Sequence, residues 1–128
     1  MSDFEQIHSL LAAYCHVTDR GTAEDIATFF WDDARLVFND EFNGRAEIEA
    51  SYKGWIKNMR DPVENLRHLI YSPYVEIEGD TARAVCYFDA DGTSRKKGTP
   101  IFLKGEYQDH LQKRDGAWKL AERRIIVY

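Results

Sequence analysis

Apolar residues recur along the first twenty positions at the spacing of a helix. Phe4, Ile7, Leu10, Leu11, Tyr14 and Val17 fall on one face of a 3.6-residue repeat. Ser2 and Glu5 stand at its head with capping-box spacing, the serine placed to cap the helix and the glutamate to return to the cap's own amide. The pattern predicts a helix from about Asp3 to Arg20, closed by Gly21. Thr22 and Asp25 repeat the cap spacing, and Ile26, Phe29 and Phe30 predict a second, short helix with an aromatic face. Asp32 and Asp33 then turn the chain into a first strand, Ala34 to Asn39. Beyond the break at Asn43 and Gly44, Ile48, Tyr52, Trp55, Ile56 and Met59 predict a third helix that starts at Arg45 and stops before Asp61 and Pro62.

The second half alternates instead of repeating every third or fourth residue. Leu66 to Glu78, Thr81 to Asp89, Pro100 to Arg114 and Ala117 to Tyr128 are strand segments, separated by Gly79-Asp80, the Asp91 to Gly98 loop and Asp115-Gly116. Pro73 marks a bulge or bend in the first of them. Helices first and hairpin-linked strands afterwards predict an α+β fold with a mostly antiparallel, strongly curved sheet. The three helices of the N-terminal half, laid across the open side of that sheet, would enclose a cone-shaped cavity.

Composition narrows the picture. With 128 residues, 44% of them hydrophobic, residues 1–128 have material for one core and one domain. The net charge of −5, with its longest basic run, Arg95 to Lys97, at a loop tip, argues against nucleic acid as a partner. No apolar run reaches membrane-spanning length, and Cys15 and Cys86 fall inside a helical and a strand pattern as free buried thiols. A cytoplasmic protein with no membrane partner is expected.

Chemistry concentrates at two positions. His68 heads a long apolar strand, and Asp19 ends the first amphipathic helix. Together they predict a carboxylate–imidazole pair, in which the carboxylate fixes the imidazole tautomer while the other ring nitrogen takes a proton. Tyr14 has two readings, a hydroxyl aimed into the pocket or plain core. Tyr107 shares a strand face with Gly105 and Asp109, to line the cavity or to pack at a subunit interface. Arg124 sits among Trp118, Leu120 and Glu122, and a salt bridge to Glu122 or Glu106 is favoured over a clamp on a substrate carboxylate. His8, His16 and His110 lack metal-ligand spacing, and no phosphate loop or nucleotide fingerprint is present, so neither metal nor cofactor is expected.

Trp31-Asp32-Asp33-Ala34, the Arg67-His68 stretch ending in Gly79-Asp80, the strand carrying Gly105, Tyr107 and Asp109, and the closing Asp115-Gly116-Ala117-Trp118-Lys119 agree in order and spacing with one family. Over essentially its whole length the chain resembles a SnoaL-like member of the nuclear transport factor 2-like superfamily. The resemblance implies a cone-shaped α+β barrel with an internal pocket, assembled as a homodimer or homotrimer. Its nearest functional echo is the group of scytalone dehydratase, bile-acid dehydratase and hexachlorocyclohexane dehydrochlorinase, whose Asp and catalytic His match Asp19 and His68. The chain departs from scytalone dehydratase at Cys86, where that enzyme has a second histidine, and at Thr18 and Phe38, where it has tyrosines.

The expected activity is therefore a cofactor-independent lyase or isomerase on a small, mostly apolar cyclic molecule, with His68 and Asp19 catalytic and Tyr14, Tyr107, Phe38, Trp55 and Cys86 contacting substrate. The alternative is a non-catalytic ligand-binding or assembly protein, like the small subunit of a ring-hydroxylating dioxygenase. Imperfect alternation, with apolar residues on both faces at Phe102, Leu103, Tyr107 and Leu111 and again at Ile125, Ile126 and Val127, predicts an outer sheet face partly buried by another subunit, in a homodimer.

Overall fold

In the computed structural model, which describes all 128 residues, the Ser2–Glu5 capping box forms and starts α1, Asp3–Arg20. Ile7, Leu11, Tyr14, Cys15 and Thr18 are its buried stripe. Gly21 ends the helix in extended backbone at φ −84°. The glycine is needed for space, because a Cβ there would lie 2.8 Å from Val17 Cγ1.

The second capping box, Thr22–Asp25, also forms, but α2 is only Ala23–Ala27. Strand β1 runs Phe30–Phe38, so Phe30, Trp31, Asp32 and Asp33 are strand and not helix face or turn. The reason is a partner far along the chain: Phe30 pairs with Leu120, and the Leu120 amide donates to the Phe29 carbonyl at 2.9 Å. A second, unanticipated strand, β2 (Asp40–Asn43), folds back on β1 through Asn39 at φ 61°. The third helix divides into α3, Arg45–Trp55, and a five-residue π-helical segment, Ile56–Arg60. Such widened turns are frequent beside functional sites.

Four long strands follow: β3 Val63–Glu78, β4 Thr81–Ser94, β5 Pro100–Arg114 and β6 Ala117–Val127. Strand β4 runs past its expected end at Asp89, because Ala90 to Thr93 pair with Leu103 to Pro100 on β5. The sheet order is β2-β1-β6-β5-β4-β3, antiparallel throughout except for the parallel β1–β6 pair. This is the expected α+β fold with a mostly antiparallel, curled sheet. Pro73 falls in a register shift between Tyr71 and Tyr74, with Ser72 at φ 50°, and the bulge bends β3. At Gly105 a Cβ would meet the Ile126 carbonyl oxygen at 2.0 Å, so the close approach of β5 and β6 there depends on a bare backbone.

The core lies inside the curl, where Ile7, Leu11 and Ile26 meet Phe30, Leu36, Leu111 and Leu120. Tyr107 and Leu111 point into it. The outer face exposes Phe102, as well as Tyr71, Tyr74, Val85 and Tyr87, paired across β3 and β4 as Tyr71 with Tyr87 and Tyr74 with Val85. Both cysteines are free and buried. No helix is long and apolar enough to cross a membrane.

Candidate active site

Helix α1 carries two groups of the cavity wall one turn apart, Tyr14 and Thr18, and Asp19 follows directly. Opposite its end, β3 enters through a bulge between Glu64 and Arg67, with Asn65 at φ 56°. Bulges re-aim side chains, and His68 follows directly. The Asp19 carboxylate receives it twice. Oδ1 accepts from His68 Nδ1 at 2.6 Å, and Oδ2 accepts from the His68 backbone amide at 3.1 Å. The two side chains are 4% and 8% exposed, so bulk water competes little with the contact. With Nδ1–H committed to the carboxylate, the lone pair of the neutral ring resides on Nε2.

His68 is one member of a closed aromatic ring. In order around the cavity stand Tyr14, Tyr52, Trp55, His68, Phe88 and Tyr107, with adjacent centroids 4.4 to 6.4 Å apart. The cavity they surround holds about 290 Å³, and its further walls include Phe38, Leu66, Ile101 and Ile125. None of its 19 lining residues is Lys, Arg, Asp or Glu. An ionic ligand would be desolvated there without a counter-charge, which is strongly unfavourable. The cavity suits a neutral molecule.

The pole of the ring opposite His68 is polar. The hydroxyls of Tyr14 and Tyr52 are hydrogen-bonded to each other, and both residues are buried. Burial pushes the phenols of Tyr52 and Tyr107 well above their ordinary value, so both stay protonated and available as donors. Behind this pole lies Arg123, fully buried, with its guanidinium 4.2 Å from the Tyr14 ring centroid and 4.0 Å from that of Tyr107. Asp109 grips it through two bonds of 2.8 and 2.9 Å. Burial works against the arginine's charge, but the attraction and hydrogen bonds of Asp109 outweigh it and hold the guanidinium firmly protonated.

The structure brings His68, Tyr14, Tyr107, Phe38 and Trp55 to one cavity, with Asp19 bonded to His68, and places two residues elsewhere than expected. Cys86 does not line the cavity. It occupies the inward position before Phe88 on β4, inside the core cluster, where burial pushes its thiol up to about 12. Arg124 makes no salt bridge to Glu122 or Glu106, since Glu122 pairs with Arg35 at 3.4 Å. The inward cation is Arg123. Strand β6 holds one extra residue between Leu120, opposite Leu111, and Glu122, opposite His110, so the inward face changes parity and the simple alternation from Trp118 selects the wrong arginine. Nothing in the local sequence marks that bulge. His8, His16 and His110 join no cluster of metal-ligating side chains.

A fixed imidazole tautomer facing an uncharged cavity, with phenol donors opposite, can accept a proton from carbon at one side and polarise an oxygen at the other. Among solved structures, a variant of Rv3472, a protein of unknown function from Mycobacterium tuberculosis, is 26% identical over 98% of this chain and 72% of its own, with a TM-score of 0.85. A protein from Novosphingobium aromaticivorans provisionally named scytalone dehydratase is 20% identical over 98% and 84%, with a TM-score of 0.86. The hexachlorocyclohexane dehydrochlorinase LinA type 2 is 17% identical over 96% and 83%, with a TM-score of 0.78. At such identities the last two show a shared fold alone. No curated protein matches the sequence. The family model of the SnoaL-like domain matches residues 1–124, and the chain belongs to that family.

Proposed function

We propose that the protein is a cofactor-independent lyase or isomerase that takes a proton from carbon in a small, neutral, mostly apolar cyclic molecule. The observation that carries this reading is the 2.6 Å contact between Asp19 and His68 at the wall of an uncharged, aromatic-lined cavity. His68 Nε2 accepts the proton, and the C–H electron pair moves toward a neighbouring carbonyl or expels a leaving group on the adjacent carbon. Asp19 stabilises the imidazolium that forms. The imidazolium then returns its proton to the departing oxygen in an elimination, or to another carbon in an isomerisation. Tyr14, bonded to Tyr52, polarises the substrate oxygen. The family, and the names borne by two of its structural neighbours, support the same class of reaction.

The test uses 1-tetralone in D₂O as a probe with exchangeable hydrogens beside a carbonyl, followed by mass spectrometry. Wild-type protein should accelerate deuterium uptake over buffer, and His68→Ala should not. Binding of the ketone without any acceleration would overturn the catalytic reading and leave a ligand-binding pocket.

The outer face of β3 and β4 supports a second proposal, self-association. Tyr71, Tyr74, Val85 and Tyr87 form a contiguous exposed apolar patch of the kind that marks interfaces. We propose a homodimer joined through it. Sedimentation at micromolar concentration should give twice the 14.9 kDa chain mass, and a monomer there would remove the claim.

A further inference from the structure

Three arginines beside the cavity have no carboxylate partner. Elsewhere Arg35, Arg45, Arg67, Arg114 and Arg123 each meet an aspartate or glutamate within 3.4 Å. Arg20, Arg60 and Arg95 form no ion pair, and all three line one surface recess of about 450 Å³. Its carboxylates are Asp61 and Asp19, the latter committed to His68. The recess thus holds an excess of positive charge in a chain whose net charge is −5. Local folding uses only part of each guanidinium that it engages. Arg60 donates through Nη1 to the Thr18 and Gly21 carbonyls at 3.1 and 2.7 Å, closing the end of α1, and Arg95 donates through Nε to the Asp61 carbonyl at 2.9 Å. Carbonyl oxygens hold these groups in place without cancelling their charge, and the remaining N–H donors are left for another acceptor.

The recess adjoins the mouth of the cavity. Val63 and Leu66 line both. Neighbours in sequence divide between the two: Met59, Pro62 and Ser94 face the cavity, while Arg60, Asp61 and Arg95 face the recess. Met59 is 55% exposed, which puts this border at the open end. A substituent leaving the cavity over Val63 therefore enters the recess.

We propose that this recess binds an oxyanion, a carboxylate or a phosphate, carried on a tether by the molecule whose ring occupies the cavity. The ring is neutral because the cavity offers no counter-charge. The charge rests outside, where planar guanidinium groups match the geometry of carboxylate and phosphate oxygens. The ligand class is then an amphiphile, of which the neutral ring is one end. The inference rests on the cavity being the ligand site, as proposed above, but not on turnover.

Calorimetric titration of the unmodified protein with 4-(2-naphthyloxy)butanoate and with the corresponding neutral amide compares ligands of one ring and one tether. Exposed ion pairs are individually weak, and three acting together should favour the carboxylate about 3- to 10-fold at low salt. High salt should bring the two dissociation constants together by screening the charge. Arg20→Gln and Arg95→Gln should each reduce the preference while leaving amide affinity unchanged. Arg60 is kept, because it closes α1. Arg83→Gln removes the same charge from the outward side of β4, between the buried Ala82 and Ala84, and should leave the preference intact. Millimolar inorganic phosphate should weaken binding of the carboxylate and not of the amide. Equal affinity for carboxylate and amide at low salt would overturn the proposal, as would a preference that falls as far in Arg83→Gln as in Arg20→Gln and Arg95→Gln. Phosphate that binds without weakening the carboxylate would overturn it too, by making the recess a site for a free anion. Failure of both ligands to bind would remove the cavity as a ligand site and both proposals with it. Absence of 1-tetralone exchange, with the arginine-dependent preference intact, defeats the catalytic reading alone.

Discussion

The Asp19 carboxylate holds His68 at two points, its side chain through Nδ1 and its backbone through the amide. A carboxylate that bonds both atoms fixes the ring relative to the strand as well as its tautomer. Orientation and basicity are thus set by one residue.

His68→Ala should lower proton-transfer activity by about 10²- to 10⁴-fold, the usual worth of a positioned base. Asp19→Asn should lose much of the same activity without loss of fold, because an amide offers Nδ1–H either an oxygen without charge or an unsuitable N–H. Rate measurements on both variants, with circular dichroism as the folding control, check this. Full activity in Asp19→Asn would disconnect the pair from function.

The phenol pair should behave as a unit. Tyr14→Phe leaves the Tyr52 hydroxyl buried without its partner, and Tyr52→Phe does the reverse, so each single change should cost about 1–3 kcal/mol. The double variant removes both hydroxyls and should cost less than the sum. Urea denaturation of the three variants measures the coupling, and strict additivity would deny it.

Arg123 and Asp109 form a fully buried ion pair. Asp109→Ala strands the guanidinium between two aromatic rings and should destabilise by about 3–5 kcal/mol. Replacing both partners, Asp109→Leu with Arg123→Met, should recover most of that loss, since well-packed apolar pairs commonly match buried ion pairs. Chemical denaturation compares them; a double variant no better than Asp109→Ala would indicate that the pair supplies more than charge neutralisation.

Stability should fall in alkali. Burial raises the thiols of Cys15 to about 11 and Cys86 to about 12 from an ordinary 9.0, and the phenols of Tyr52 and Tyr107 move the same way. The unfolded chain therefore loses these protons first, binds fewer than the native state above pH 9, and gains in relative stability as pH rises. The contribution is complete below pH 9 and lost through the native values near 11 and 12. Urea midpoints at pH 8 and pH 10.5 should show the decline, and Cys15→Ser with Cys86→Ala should flatten part of it.

Legibility in the sequence followed the range of the forces. Helix α1 and its capping box depend on neighbours within a few residues, and the long hairpin strands on partners just across a single turn or loop, so periodicity, caps and turn residues reveal them. Asp19 and His68 were legible for a related reason: each stands at the end or head of a strongly patterned element, and the resemblance to a family joined them. Where pairing crosses the chain, local pattern failed. Phe30 through Asp33 read as helix face and turn because their strand partner, β6, lies some ninety residues later.

Only the tertiary structure decided which face a residue takes beyond a bulge and which aromatics meet. The extra residue in β6 turns Arg123 inward in place of Arg124. The ring from Tyr14 to Tyr107 closes through side chains of α1, α3, β3, β4 and β5, and no spacing in sequence encodes a closed circuit. Cys86 and Phe88 share an inward face, yet the curl of the sheet admits one to the cavity and leaves the other in the core. Periodicity specifies the side of an element. Depth along a curved surface depends on how far the sheet bends, and that is settled by packing against helices drawn from the other half of the chain.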